Sequence, residues 1–205
     1  MKTENVELMR MARKSMEGKW VLAIGTFIIY IIISAAIQGL GAYFSFAGFL
    51  GLVISGPLAL GINIFALNIY RDNEAGVENI FEGFQNFVNA FAAYVLMMIF
   101  VILWTLLLII PGIMAGISYS QTFFLMADDP ELGPMDAIDK SKAMMDGYKM
   151  KYFTLSLRIL GLALLCILTL GIGFFFLLPY AQVLLAAFYE DLKGESEEEE
   201  IGLYE

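Results

Sequence analysis

Histidine is absent from this chain, cysteine occurs once, and charge is missing from three long stretches. Without histidine there is no imidazole to move protons near neutral pH, and none to ligate a metal or haem. The single cysteine, Cys166, cannot form a disulfide within the chain. It lies in LALLCILTL with no basic neighbour, the setting of a packing residue rather than a nucleophile. No Asp, Glu, Lys or Arg occurs from Trp20 to Tyr70, from Gly83 to Ala127, or from Ile159 to Tyr189. An intramembrane carboxylate pair therefore has no candidates. The glycine-rich stretch 39–51 lacks the Lys-Ser/Thr that follows in a phosphate loop. These absences leave no catalytic residue, no metal ligand set and no cofactor site to name, and the expectation is a protein that is not an enzyme.

What the chain has in abundance is apolar surface. Of its 205 residues 60% are hydrophobic and 16% charged, and the mean hydropathy is +0.75. Soluble domains hold about 45–50% apolar and about 25% charged residues. A bilayer-spanning helix needs about 20 apolar residues; the first two uncharged runs are each long enough for two. The third reaches that length if it starts near Tyr152 and carries Arg158 inside it. The runs lack the alternation of a membrane barrel, so helices must satisfy the backbone. The expected fold is an all-α integral membrane protein of six transmembrane helices, arranged as three helical hairpins. Gly39, Gly41, Gly48 and Gly51 place the first turn between spans near 20–40 and 50–70. Pro111 and Gly112 in IIPGI place the second between 89–110 and 113–127. TLGIGF places the third between 152–169 and 174–190.

The charges orient these hairpins. All 12 Lys and Arg lie in the N-terminal segment, in the connections 71–82 and 128–158, or in the tail. Three hairpins put those regions on one side, and short basic loops mark the cytoplasm. The expected location is the plasma membrane, multi-pass, with both termini cytoplasmic. The leader before Trp20 is long and helical in pattern, unlike a cleaved signal peptide.

One junction is written three times, about 65 residues apart: MEGKW at 16–20, FEGFQ at 81–85 and MDGYK at 145–149. Apolar residues recur at helical spacing around each: Met9, Ala12, Met16, Trp20; Val77, Ile80, Phe84, Phe87; Met135, Ile138, Met145, Tyr148. Such helices are expected to lie in the interface, apolar side toward lipid, one before each hairpin. Gly18, Gly83 and Gly147 would then be the bends into the membrane. The hairpins also close alike, at Asp72, Asp129 and Asp191, in NIYRD, LMADD and AFYED. The reading is one membrane domain over 1–192 with a three-fold internal repeat, in units of about 1–72, 73–129 and 130–192. The acidic segment 193–205, with ESEEEE, is expected to be a disordered, solvated tail. DDPE reads as a helix start, Asp129 capping and Pro130 in the first turn.

The stretches LWTLLLIIPGIMAGISYS (103–120), ADDPELGPMDAIDKSKAMMDGYK (127–149) and TLGIGFFFLLPYAQVLLAAFYEDL (169–192) together resemble the bacterial membrane family catalogued as domain of unknown function 975. The resemblance covers most of the chain and is strongest from about 77 to 193. It implies a multi-pass plasma-membrane protein and carries over no active-site residue.

Nine positions before each closing Asp stand Asn63, Ser120 and Gln182. They are a candidate intramembrane polar cluster, either glue between helices or the lining of a path or head-group pocket. Arg158, the one charge inside a span, either snorkels to the interface or contacts a lipid phosphate or carboxylate. A net charge of −9 offers no footprint for nucleic acid. The partners expected are membrane lipids, with a membrane or cytosolic protein, or further copies of the chain, left open. The functional expectation is a non-enzymatic scaffold or accessory membrane component acting at its cytoplasmic face. The alternative is a small permease or pore.

Overall fold

The computed structural model describes residues 3–43 and 47–202, without the side chains at 38, 40–43, 47–49 and 195–202. Among the described residues regular structure is helical throughout. The order is α1 (Asn5–Ser15), α2 (Trp20–Tyr43), α3 (Ala47–Tyr70), α4 (Asn79–Glu82), α5 (Phe87–Leu107), α6 (Ile109–Ser118), α7 (Thr122–Asp128), α8 (Pro134–Met144), α9 (Lys149–Leu168) and α10 (Phe174–Gly202). Six stretches are long and apolar enough to cross a membrane: α2, α3, α5, α6 with α7, α9 and most of α10.

These six differ in how much protein surrounds them. Within the apolar stretches of α3, α10 and α6–α7, 56%, 50% and 44% of residues are buried, against 17%, 11% and 6% for α2, α5 and α9. The better-buried helices also meet one another: α3 packs on α10 and on α7, and Phe124 of α7 stacks on Tyr189 of α10 with ring centroids 5.4 Å apart. Beside them α2 packs on α3, and α5 on α6 and α3. α9 makes fewer contacts, and Leu155 is its one buried residue. Leucine and isoleucine on that outer surface, such as Leu157, Leu160 and Leu164, suit lipid as well as a core suits Phe65.

The short helices depart from expectation. Leu8, Ala12 and Met16 are completely buried in the main core, and Ala137, Ile138 and Met145 are buried too. The apolar stripes of α1 and α8 therefore face protein, not lipid, because hydrophobic periodicity reports an apolar neighbour without saying which one. The segment before α5 holds only a four-residue helix, α4. There the buried Asn79 accepts from Gly76 N at 2.9 Å and donates to Glu82 at 2.8 Å. That local bonding competes with a longer helix.

Three boundaries also shift. The second turn is at Leu108, in extended conformation between α5 and α6, and Pro111 lies inside the first turn of α6. An N–H there would have no intrahelical partner, so proline is tolerated without breaking the helix. α8 starts at Pro134 after Gly133, not at Pro130. Asp129 instead accepts from Glu131 N at 3.2 Å, and the turn is anchored by the buried Leu132. α10 runs on past Asp191 to Gly202, where the charge run alone reads as solvated coil. Glutamates are good helix formers once the preceding turns supply the nucleus.

Candidate functional site

The middle of α3 presents Asn63, 8% exposed, toward α10. Its Nδ2 donates to Ala59 O one turn back at 2.6 Å, and its Oδ1 accepts from Gln182 Nε2 at 3.1 Å. One hydrogen bond thus joins the two amides across the most buried helix pair. Ser120 is bonded to neither. It sits in the break between α6 and α7, accepting from Gln121 Nε2 at 2.8 Å, with Tyr152 of α9 against it. Two of the three residues meet directly; the third serves a neighbouring contact.

That break holds a residue the sequence did not single out. Ser141 of α8, fully buried, donates to Ser118 O at 2.8 Å and accepts from Gln121 N at 3.1 Å. Interrupting a helix in apolar surroundings frees backbone groups that need partners, and one hydroxyl supplies two. A lone serine in a helix of mixed apolar and charged residues gives no pattern by which to find it.

Eight residues beyond Asn63 and Gln182 stand Arg71, just past the end of α3, and Glu190 of α10. The Arg71 guanidinium reaches Asp128 Oδ1 of α7 at 2.5 Å and, through Nε, Glu190 Oε1 at 2.6 Å. Tyr189 donates to Asp128 Oδ2 at 2.7 Å and Lys193 bonds the same oxygen at 2.8 Å. Burial opposes the charge on Arg71, yet the hydrogen bonds and charges of Asp128 and Glu190 outweigh it and hold the guanidinium above its ordinary value. One ionic cap thereby ties the ends of α3 and α7 to the middle of α10. Around it, Lys19 bonds Asp72 at 2.6 Å; its hydrogen bond and charge lower the Asp72 carboxyl from the usual range. Lys151 of α9 lies 3.5 Å from Asp191 and also bonds the Thr3 carbonyl. Of the three closing aspartates, Asp72 and Asp191 are ion-paired, and Asp128 takes the role expected of Asp129.

Arg158 is exposed on α9 and has no ion pair or hydrogen bond among the described residues. Gly18 and Gly147 share a φ of +78° with open space where a Cβ would stand. Gly83 differs: its φ is −58°, and a Cβ would strike the Pro57 carbonyl and the Gly61 nitrogen. It marks a close crossing of α4 on α3. Among the described residues no group of three or more His, Cys, Asp or Glu could hold a metal ion.

Six apolar helices, amides paired between them and an ionic cap at one end define a multi-pass helical membrane protein. Within that class the chain belongs to the family described as "Protein of unknown function (DUF975)", which matches residues 1–114 and 105–196. No curated protein and no solved structure matches it.

Proposed function

We propose that this protein is a non-enzymatic scaffold or accessory component of the plasma membrane, working through the charged end of its bundle, which faces the cytoplasm. The observation that carries the reading is that the polar side chains joining the central helices are engaged with one another, although the buried Thr26 Oγ1, Gln121 Oε1 and Asn5 Oδ1 have no partner among the described residues. Asn63 and Gln182 bond each other, Ser141 serves the α6–α7 break, and Arg71 is committed to two carboxylates. A permeation path needs polar groups free to exchange partners with a solute, and these are engaged. The charged end instead holds the basic connections, as a cytoplasmic face does.

In this reading α2–α3, α5–α7 and α9–α10 are three hairpins of one repeated unit, the second member of each turned inward. Its support is the alternation of burial along the six spans and the matching bends at Gly18 and Gly147. A further parallel lies eleven positions before Asp72, Asp129 and Asp191. At each of these levels a short helix docks: Gly61 under the Ile80 carbonyl, Ser118 on Ser141, and Tyr180 donating to Met9 O at 3.1 Å. Unlike the expected lipid-facing arrangement, α1, α4 and α8 act here as straps that hold the bundle. Reconstituted into sealed vesicles, the protein should pass small solutes no faster than protein-free vesicles do. Flux rising in proportion to incorporated protein would establish the permease instead.

A further inference from the structure

Between α9 and α10, on the side of α1, lies an open groove of about 540 Å³. Its walls are apolar: Leu162 and Leu165 from α9, Phe176 and Leu177 from α10, with Trp20 from the start of α2. A single charged side chain lines it, Arg13 of α1, and no carboxylate does. Arg13 is exposed, and its guanidinium has no ion pair or hydrogen bond among the described residues. Glu7 is taken by Arg10 at 2.6 Å, and Glu17, one turn beyond Arg13, does not pair with it. An apolar trough edged by one uncommitted guanidinium and an indole has the chemistry of an amphiphile with a long chain and an anionic head.

We propose that this groove binds an anionic phospholipid, its phosphate on the Arg13 guanidinium and an acyl chain between α9 and α10. The planar fork of arginine suits phosphate oxygens. A zwitterionic lipid would bring an ammonium that finds no carboxylate in the groove. The placement recurs elsewhere in the chain. Lys142 stands five residues before Gly147 as Arg13 stands five before Gly18, and it lines a cavity of about 240 Å³ with Lys149 and Trp104, again without a carboxylate. The proposal rests on the membrane class alone and is independent of the scaffold reading.

The chain has two tryptophans, so Trp104→Phe in the full-length protein leaves Trp20 as the sole reporter at the groove. In mixed vesicles, dibrominated phosphatidylglycerol should half-quench Trp20 at about fivefold lower mole fraction than dibrominated phosphatidylcholine, the factor one cation near the membrane supplies. Arg13→Gln should erase the difference, while Lys14→Gln, on the same helix but outside the groove, should preserve it. Equal quenching by the two lipids, or a preference that survives Arg13→Gln, would make the groove an ordinary annular surface and overturn the proposal. Equal loss in Lys14→Gln would mean diffuse surface attraction and overturn it too. Native mass spectrometry tests the same point with both tryptophans in place: phosphatidylglycerol should stay on the wild-type protein and leave Arg13→Gln, and equal retention refutes the site.

Discussion

Gly18 and Gly147 take one backbone conformation, and Gly83 takes another for a different reason. At φ +78° a Cβ is disfavoured by its own backbone, so Gly18→Ala and Gly147→Ala should each cost about 1 kcal/mol. Asn at either position should cost less, since it visits the left-handed region readily. Gly83→Ala meets a neighbouring backbone instead and should cost about 2–3 kcal/mol, the range of overpacking. Thermal unfolding of the variants in detergent checks the order; a mild Gly83→Ala would mean that α4 can lift from α3. Asn63 and Gln182 allow a second test at this scale. Asn63→Leu and Gln182→Leu should each lower stability by about 1 kcal/mol, and the double variant by less than the sum, because the two amides share one bond. Strict additivity would show that the bond contributes nothing.

At the scale of elements, the ionic cap fastens the ends of α3 and α7 to α10. Arg71→Ala leaves Asp128 and Glu190 without their shared cation, and should lower stability by about 2 kcal/mol. Arg71→Lys should recover only part of that loss, since one ammonium cannot present two separate N–H edges to two carboxylates. Full recovery by lysine would reduce the cap to simple charge balance. α1 is held through Leu8, Ala12 and Met16 in the core and through its bonds to α9 and α10. Leu8→Ala should therefore destabilise by about 2–5 kcal/mol, as core truncations do. A surface helix with its stripe in lipid would barely respond in a detergent melt.

For the whole molecule the decisive measurement is topology. Single cysteines at Ser45, Asn73 and Ser196, placed in a Cys166→Ala background, report the side on which each connection lies. An impermeant thiol reagent on intact cells should label the Ser45 position and spare the other two. Labelling at Asn73 or Ser196 would invert or break the six-span arrangement with cytoplasmic ends. The charged end would then face the wrong compartment for the proposed role.

Membrane class, helical structure and the approximate position of all six spans were legible from the sequence, because hydrocarbon demands long uncharged runs and hydrogen-bonded backbone. The sequence marked Asn63, Ser120 and Gln182 as one candidate cluster, since an amide at that depth needs a partner, but did not single out the bond between Asn63 and Gln182. Spacing alone could not say that Ser120 turns to Gln121, nor that Ser141 repairs the α6–α7 break. Those choices depend on which helix passes nearby. The motif at Gly18, Gly83 and Gly147 looked uniform in letters and split in space, because a glycine serves equally for a positive φ and for a close crossing. The largest decision left to tertiary structure was where the apolar stripes of α1 and α8 point. Lipid and protein interior are both apolar solvents, so the pattern that drives a helix out of water cannot choose between them. Packing against α10, α5 and α7 made that choice.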